Sequence, residues 1–424
     1  MRDKKLLPVY FDATRLRARR RFEVPTGIDR VDLAYLQALG SDAELQLTLV
    51  AQGPLGLQRL TPATARRLMS DLAQHWHAPQ PAASPLWLAL QRWLESPAPS
   101  PRPALPRPAR ASQKLQAAAA PTLSSFTTVK PNSSGLYINT SHGQLYRSGV
   151  ARWLRRTGMQ GLFFVHDLIP IEHPEYSRAA EPARHAARLA TIAAHARTVL
   201  VNSTATQQAL QAYWSARNVR MPVLTVAPLG VGLHLVPSQL PSPQANLSYF
   251  VLLGTIEPRK NHLMILKLWR QLVEADPLRA PRLVLVGRRG WENETVFNLL
   301  DRAPRLASHV MECPGLADAE LLALLRGARA LLNPSFAEGF GLPVAEALAA
   351  GVPVLASSLA AHREVGGASA EYLDPLDGMG WLQAITDYAA EPSSRRTAAL
   401  QRLQQYAAPS WAQHFEIVRA QLQA

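Results

Sequence analysis

Two carboxylates, Glu338 and Glu346, stand eight positions apart in a glycine-rich stretch over residues 333–353. Carboxylates at this spacing around a turn can accept hydrogen bonds from the hydroxyl groups of a bound molecule. An apolar segment comes before the stretch, and Pro343 and Gly351 suit the start and the end of a helix. The pattern therefore predicts a loop that joins a strand to a helix.

The glycines of this loop allow its backbone to approach a ligand closely. Gly339 and Gly341 have no Cβ and adopt positive φ readily. The free N–H groups at the start of the next helix favour an anion. We therefore predict a site for a ligand that carries both phosphate and hydroxyl groups. Its expected contacts are the two carboxylates and the residues of the turn, Gly339, Phe340, Gly341 and Leu342.

Two adjacent cations follow a second predicted strand, residues 249–254. Arg259 and Lys260 come just after its end, and Asn261 is placed to cap a helix that begins at His262. A guanidinium and an ammonium side by side can neutralise two phosphates. Two basic neighbours are common on a solvated surface, but with the acidic loop in the same half of the chain they predict a diphosphate site.

Residues 333–353 closely resemble the E-x7-E motif of the family-four retaining glycosyltransferases, which have the GT-B fold. The residues that match in order and spacing are Pro334, Ser335, Glu338, Gly339, Phe340, Gly341, Leu342, Pro343, Glu346, Ala347, Gly351, Pro353 and Val354. Residues 254–261 are similar to the family's Arg-Lys-Asn motif. The resemblance is strong over residues 249–375 and covers the first half only in scattered pieces.

The resemblance implies an enzyme that moves a hexosyl or deoxyhexosyl group from a nucleoside diphosphate sugar to a hydroxyl group with retention. Glu338, Arg259 and Lys260 would act at the reacting centre, and Glu346 would bind the ribose. The implied acceptor is a glycan or a polyprenyl-diphosphate-linked glycan of bacterial surface-polysaccharide assembly. The base and the sugar of the donor stay open.

The first half offers further candidates at the ends of predicted strands. His166 and Asp167 follow an apolar strand. In the resembled family a histidine in a similar His-Asp context approaches the donor sugar, so His166 is a candidate catalytic residue. The alternative is a structural histidine that is paired with Asp167. Asn139 and His142 also follow a strand. Together with Asp167 and Gly27 they are weaker candidates for contacts with the acceptor.

Gly27 opens a predicted helix near the N-terminus. It loosely matches a glycine-bearing loop of the family, although the usual paired glycines are reduced to one. A basic run precedes it, made of Arg15, Arg17, Arg19, Arg20 and Arg21. This run could bind an acidic acceptor or an anionic membrane surface, and it could equally be a solvated loop.

The alternation of apolar runs and helical patterns predicts an α/β protein of the GT-B class, with two doubly wound, Rossmann-like domains facing a cleft. We expect an acceptor-side domain over residues 1–240 and a nucleotide-sugar-binding domain over residues 241–408. In the resembled fold a terminal helix, here within residues 409–424, crosses back to the first domain. Between about 79 and 134 the pattern fails, which predicts a proline-rich insertion within the first domain.

The net charge, the cysteine content and the absence of certain motifs indicate which partners, location and cofactors to expect. The formal net charge of +14 favours acidic partners such as nucleoside diphosphates, anionic lipids or nucleic acid. With one cysteine, Cys313, and no signal peptide or long apolar run, we expect a cytoplasmic protein, at most peripheral at the inner face of the membrane. No Asp-x-Asp or Walker sequence occurs, so we expect no metal and no cofactor beyond the nucleotide sugar as co-substrate.

Three other functions stay open at this point. One is a GT-B-shaped scaffold that binds nucleotide sugars without turnover. A second is a GT-B phosphorylase or a nucleotide-sugar epimerase. The third is a nucleic-acid-binding protein, which the positive charge permits, although no aromatic-basic platform or zinc-ligand spacing supports it.

Overall fold

The computed structural model describes residues 6–20, 25–76, 83–97, 102–103, 125–130, 134–233, 236 and 240–423. The chain divides into two compact units. The first unit comprises Met1–Pro79, Arg107–Pro228 and His414–Ala424, and the second comprises Gln80–Pro106 and Leu229–Gln413. Each unit has its own sheet and its own hydrophobic core.

An eight-stranded sheet forms the centre of the first unit, in the order β4-β3-β2-β1-β5-β6-β7-β8. Neighbouring strands from β2 to β8 are parallel, and β3 and β4 form an antiparallel edge. The strands are β1 (Leu7–Asp12), β2 (Leu45–Gly53), β3 (Gly56–Leu60), β4 (Phe126–Thr127), β5 (Leu136–Asn139), β6 (Gln160–Val165), β7 (Ala196–Val201) and β8 (Val223–Val226).

Helices connect and cover these strands, as parallel pairing requires. They span Thr14–Arg19, Gly27–Ser41, Pro62–Trp76, Ser148–Thr157, Ile169–Glu172, Glu181–His195 and Thr204–Ser215, with a 3₁₀ turn at Pro174–Tyr176. A core of large apolar side chains lies between sheet and helices, including Tyr137, Trp153, Phe163 and Trp214.

The second unit contains a six-stranded, fully parallel sheet in the order β11-β10-β9-β12-β13-β14. Its strands are β9 (Tyr249–Leu253), β10 (Arg282–Val286), β11 (Val310–Cys313), β12 (Leu331–Asn333), β13 (Val354–Ser357) and β14 (Glu371–Leu373). Its helices span Pro85–Glu95, His262–Ala275, Glu294–Arg302, Asp318–Gly327, Leu342–Ala349, Ala360–Gly366, Gly378–Ala389 and Ser394–Leu403.

This strand order is the doubly wound order in which the chain reverses direction across the sheet between its first and fourth strands. Here those strands are β9 and β12, which pair in parallel. The loops that leave their carboxyl ends are residues 254–261 and 334–341. Open α/β sheets bind ligands at this switch point, so the topology brings together the two loops that the sequence singled out.

A helix, Pro85–Glu95, lies in the segment where the sequence pattern failed. Ser84 caps its start by accepting a hydrogen bond from the Trp87 amide at 3.1 Å. Its apolar side chains, among them Leu90 and Trp93, are buried. The structure places Gln80–Pro106 with the second unit, whereas the sequence predicted an insertion within the first domain. The neighbouring prolines concealed the short apolar face that docks this helix.

Arg282, the first residue of β10, holds the end of this helix. Its fully buried guanidinium donates to the carbonyl oxygens of Trp93, of Leu94 at 2.6 Å and of Ser96 at 3.1 Å. It also lies 4.9 Å from the centroid of the Trp93 ring. The last carbonyls of a helix have no partner within the helix, so Arg282 supplies the missing donors.

We expect Arg282→Met to lower the free energy of unfolding by about 1–3 kcal/mol, because several buried carbonyls lose their donor. Urea denaturation measures the loss. Arg279→Met is the matched control, since Arg279 is 90% exposed and its ion pair with Asp276 is long, at 3.8 Å. Equal stability of the two variants would show that the helix is held by its apolar face alone.

The C-terminal helix spans Trp411–Gln423, and from His414 onward it groups with the first unit. The His414 ring nitrogens lie 2.8 Å from the Tyr35 hydroxyl and 2.9 Å from the Pro228 carbonyl oxygen. Arg197 donates to the Gln421 carbonyl at 2.6 Å. In the described part of the chain, no helix has the length and apolarity that a membrane crossing requires.

Candidate active site

The switch point of the second unit holds a compact ionic cluster. Lys260 ends a 3₁₀ turn, Pro258–Lys260, after β9, and its Nζ lies 2.5 Å from Glu338 Oε1. Arg259 Nη1 lies 2.8 Å from Glu338 Oε2 and donates to the Ala337 carbonyl at 2.9 Å. The two cations and the first carboxylate of the acidic loop therefore meet, although 78 residues separate Lys260 from Glu338 in the chain.

Burial makes these interactions strong. The side chains of Lys260 and Glu338 are only 6% and 8% exposed. Burial alone would raise the pKa of Glu338, but Arg259 and Lys260 outweigh it and hold this pKa well below its ordinary value. Glu338 is therefore ionised at every pH at which the protein is expected to work.

A second carboxylate, Glu257, belongs to the cluster and was missed by the sequence analysis. Its Oε1 lies 2.6 Å from Arg259 Nε, and its side chain is 4% exposed. Burial raises the pKa of Glu257, and Arg259 and Lys260 offset only part of that rise. In the sequence, Glu257 is marked only by its position two residues before Arg259. That position does not show whether its side chain points toward Arg259.

Side chains from β12 and from the helix Ala360–Gly366 support the acidic loop. Ser335 Oγ lies 2.8 Å from both Glu338 Oε1 and Asn333 Oδ1. Asn333 Nδ2 lies 3.3 Å from His362 Nε2, whose other ring nitrogen lies 2.8 Å from the Ser357 carbonyl oxygen. These successive contacts hold the carboxylate of Glu338 in one orientation.

Gly341 shows why the loop requires glycine. Its φ is 93°, and a Cβ at this position would lie 2.8 Å from His362 Cδ2. A side chain would therefore be strained by the backbone and blocked by the histidine. Among the described residues, the amides of Phe340 and Gly341 donate to no acceptor. They remain as donors at the start of the helix Leu342–Ala349.

Glu346 lies on this helix and is 8% exposed. The helix begins at Leu342, one residue before the predicted Pro343, so Glu346 is its fifth residue and lies beyond the first turn. Pro343 therefore occupies the second position of the helix instead of its first. Asn261 occupies the N-cap position of the helix His262–Ala275, but its side chain forms no cap and donates to the Pro375 carbonyl at 3.0 Å.

The first unit has its own polar cluster at the carboxyl ends of β1 and β5. The Tyr137 hydroxyl donates to Asp12 Oδ2 at 2.6 Å, and Asn139 Nδ2 donates to the same oxygen at 3.0 Å. All three residues are buried. Asn139, a candidate for acceptor contact, thus uses its amide to hold a buried carboxylate.

His166 follows β6 and is 6% exposed. Its Nε2 lies 2.6 Å from the Thr140 carbonyl oxygen, which assigns the ring proton to Nε2. Burial lowers the pKa of His166 to about 4, so the ring is neutral at pH 7. Asp167 Oδ1 accepts from the Ile169 amide at 3.1 Å and has no hydrogen bond to the His166 ring, so the structural pairing that was the alternative is absent among the described residues.

Two further histidines lie beside it. The His142 ring centroid lies 5.3 Å from that of His166 and 5.6 Å from that of His185. Burial lowers the pKa of both His142 and His185. His185 was missed because it lies on the helix Glu181–His195, remote in sequence from the strand ends.

Thr140, next to Asn139, links the strand end to a buried carboxylate. Its Oγ1 donates to Asp32 Oδ1 at 2.6 Å. Asp32 is fully buried, and burial raises its pKa to about 7. Asp32 lies on the helix Gly27–Ser41 among apolar neighbours, and no motif in the sequence singles it out.

We expect Asp32→Asn to remove a pH dependence of stability. Below about pH 4 the carboxyl is protonated in both states, and as the pH rises to about 7 the unfolded chain alone ionises, which destabilises the folded state. Between pH 5.5 and pH 8 the wild type should lose about 2 kcal/mol that the variant retains. Urea denaturation at the two pH values tests this. Parallel changes in wild type, Asp32→Asn and the exposed control Asp276→Asn would contradict it.

The N-terminal basic run is largely engaged within the first unit. Arg15 Nε and Arg19 Nε lie 2.7 Å and 3.1 Å from the buried Asp29 carboxylate. Gly27 is the first residue of its helix, and Asp29 closes a capping box by accepting from the Thr26 amide at 2.8 Å. Arg17 donates to the Gln52 carbonyl at 3.1 Å, and Arg21 lies outside the described residues.

The structure thus brings Arg259, Lys260 and Glu338 together in the second unit, with Gly339–Leu342 and Glu346 next to them in the chain. In the first unit it brings His142 and His166 together, with Asn139 and Asp167 at the adjoining strand ends. Gly27 lies at the start of a separate helix. Among the described residues, no group of three or more His, Cys, Asp or Glu side chains is arranged to hold a metal ion.

Comparison with known proteins finds a family-model match within the second unit. Residues 241–370 match the family model described as glycosyl transferases group 1. The serotype-specific mannosyltransferase WbdA of Escherichia coli is 28% identical over 252 residues, which are 56% of this chain and 31% of WbdA. The O-antigen chain mannosyltransferase B of Escherichia coli is 35% identical over 163 residues, 38% of this chain and 42% of that protein. In these matches the chain spans less than half the length of either relative.

Solved structures show the fold. The crystal structure of Anabaena Alr3699/HepE in complex with UDP and glucose aligns with 98% of this chain and 99% of that chain, at a TM-score of 0.61 and 16% identity. The likeness confirms the α/β class and the GT-B fold that the sequence predicted.

Proposed function

We propose that the chain is a retaining glycosyltransferase that uses a nucleoside diphosphate hexose, and the match of residues 241–370 to the glycosyl transferases group 1 supports this proposal. The observation that carries the proposal is the buried contact of Lys260 and Arg259 with Glu338 at the switch point of the second sheet. The names of the two relatives support hexosyl transfer to a glycan, and the UDP bound to Alr3699/HepE supports a nucleotide donor.

In this proposal Arg259 and Lys260 bind the diphosphate. Glu338 and Glu257 balance the two cations, which keeps them buried in the absence of a ligand. A diphosphate would replace part of these ion pairs. The amides of Phe340 and Gly341 would add donors at a helix start, where the dipole favours an anion.

Glu338 would then turn from a partner of the cations into an acceptor for the sugar. Its Oε1 accepts from Lys260 and Ser335, whereas Oε2 accepts, among the described residues, from Arg259 alone and keeps a lone pair. Glu346, further along the same helix, would accept from the ribose hydroxyls. The neutral His166 ring can offer Nδ1 as an acceptor to a hydroxyl group, because Nε2 is already committed to Thr140.

For the reaction we propose attack from the face of the leaving group. The bond between the anomeric carbon and the phosphate oxygen breaks, the acceptor oxygen bonds to the anomeric carbon, and the acceptor proton passes to the departing phosphate. The negative charge that grows on the diphosphate is stabilised by Arg259 and Lys260. These two cations supply the electrostatic stabilisation that a divalent ion provides elsewhere, so we propose a metal-independent transfer.

A thermal-shift screen of nucleoside diphosphates and their sugars tests the donor site. A ligand at 100 times its Kd stabilises the folded state by about 2.7 kcal/mol. We expect one base to give the largest shift, and its hexose conjugate to release nucleoside diphosphate only when a glycan acceptor is added. Stabilisation without release would favour a scaffold, and the absence of any shift would refute the proposal.

A further inference from the structure

Three guanidinium groups surround one tyrosine in the first unit. Tyr146 lies in the loop between β5 and the helix Ser148–Thr157, and the Cζ atoms of Arg147, Arg184 and Arg188 each lie 5.6 Å from its ring centroid. No two of these Cζ atoms can be more than 11.2 Å apart, twice that distance. Contact with the ring face is favourable for each cation but does not neutralise its charge.

The charges of this Tyr146 cluster are poorly balanced. Arg188 Nη1 lies 2.5 Å from Glu181 Oε1. Arg147 and Arg184 are exposed, and within the described ranges neither forms an ion pair. Three positive charges thus face one carboxylate, and like charges at such short distances repel one another. An anion with several charges would relieve that repulsion.

A buried polar atom at the cluster also lacks a partner. Arg188 Nε is buried and has no hydrogen-bond partner in the described part of the chain. The side chains of Arg188 and His185 are in contact, since Arg188 Nη1 lies 3.4 Å from His185 Nδ1. Buried donors without partners are rare and costly, so Arg188 Nε indicates a polar ligand or solvent at this position.

The cluster adjoins the histidines at the end of the sheet. The ring of His185 packs against His142, which in turn packs against His166. The guanidinium groups therefore lie at the same edge of the first sheet as the predicted acceptor contacts. By contrast, Arg15 and Arg19 of the N-terminal run are already paired with Asp29.

We propose that Arg147, Arg184 and Arg188 around Tyr146 bind a phosphate or diphosphate group of the acceptor substrate. The planar guanidinium group can donate two parallel hydrogen bonds to phosphate oxygens. Three guanidinium groups therefore bind a multiply charged phosphate better than they bind a ligand with a single carboxylate. The inference rests on the proposed transferase function. The same chemistry has two sources, a diphosphate carried by the acceptor or the phosphate headgroup of an anionic lipid.

The test uses the full-length chain and farnesyl diphosphate as a probe. Arg147→Gln with Arg184→Gln removes two exposed charges of the cluster. Arg152→Gln with Arg156→Gln removes two exposed charges from the helix Ser148–Thr157 and is the matched control. We expect the first pair to raise the Kd about tenfold or more and the control to change it less than about twofold. Hydrogen exchange should show probe-dependent protection at residues 142–148 and 181–190 in the wild type.

Vesicles distinguish the two sources. If phosphatidylglycerol vesicles lose binding in the cluster variant while farnesyl diphosphate is unaffected, the phosphate belongs to a lipid headgroup. If neither probe is affected, or if glucuronate displaces the probe better than pyrophosphate does, the proposal is overturned. The thermal shift of the wild type with nucleoside diphosphates is measured separately. If it shows no nucleotide binding, the proposed donor site is refuted, but the phosphate site in the first unit can still be confirmed by the binding of farnesyl diphosphate.

Discussion

Lys260→Met should lower the kcat of sugar transfer by about 10²–10³-fold, the usual cost of removing one preorganised donor to a developing negative charge. Methionine keeps the aliphatic stem and removes the ammonium that lies 2.5 Å from Glu338. Because that charge would act on the leaving diphosphate, kcat should fall more than the affinity for the donor. The measurement is nucleoside diphosphate release at saturating donor, using the donor that the thermal-shift screen identifies.

Two comparisons make this result specific. Lys267→Met changes the same side chain at an exposed position of the helix His262–Ala275 and should leave kcat within about twofold of the wild type. Arg259→Met should reduce kcat by a similar order to Lys260→Met, and the double variant by less than the product of the two, because both side chains contact Glu338. Near-normal turnover in folded Lys260→Met and Arg259→Met would refute the assignment of the diphosphate site.

Glu338→Gln should lower the free energy of unfolding by about 3–5 kcal/mol, because it leaves two largely buried cations without their shared carboxylate. The variant keeps the shape of the side chain and can still accept from Ser335. Transfer activity should fall as well, since Arg259 and Lys260 lose the group that positions them. Urea denaturation measures the first effect and donor turnover the second.

The pH dependence of this loss has a defined sign. The pKa of Glu338 is depressed in the folded state, so its contribution to stability is present above the ordinary glutamate pKa of about 4.3 and is lost as the pH falls below it. The stability of wild type and variant should therefore converge in acid. Glu391→Gln is the control, because Glu391 is 80% exposed in its ion pair with Arg329 and should cost less than about 1 kcal/mol. Equal losses at pH 7 for Glu338→Gln and Glu391→Gln would contradict the prediction.

Sequence patterns were sufficient to predict a structural feature where all the residues that form it lie in one short segment. The acidic loop could be identified because its glycines, its proline and its carboxylates lie within about twenty residues. The strand predicted over residues 249–254 matches β9, because it is a short apolar run that a polar loop follows. The short strands β3, β8 and β14 were missed, since runs of three to five residues have little periodicity.

Contacts between remote segments could not be predicted in the same way. The helix Pro85–Glu95 was missed because its docking depends on Arg282, almost two hundred residues away. The basic run near the N-terminus was expected to face an acidic acceptor or membrane, or to be solvated, but Asp29 on the next helix pairs with two of its arginines. Two of the three arginines around Tyr146 lie on the helix Glu181–His195 and the third, Arg147, lies at the end of a loop, so no single segment of the sequence shows them as a group.

The amino-acid sequence alone was enough to predict the α/β class, the glycosyltransferase resemblance and the residues from which a diphosphate site could be built, because glycines, prolines and charges act locally on backbone shape. Which partners those residues have follows from the three-dimensional fold. The parallel pairing of β9 with β12 places Lys260 and Arg259 on Glu338, and burial then sets the protonation of Glu338, Asp32 and His166. Pairing and burial depend on distances between segments far apart in the chain, which no local pattern specifies.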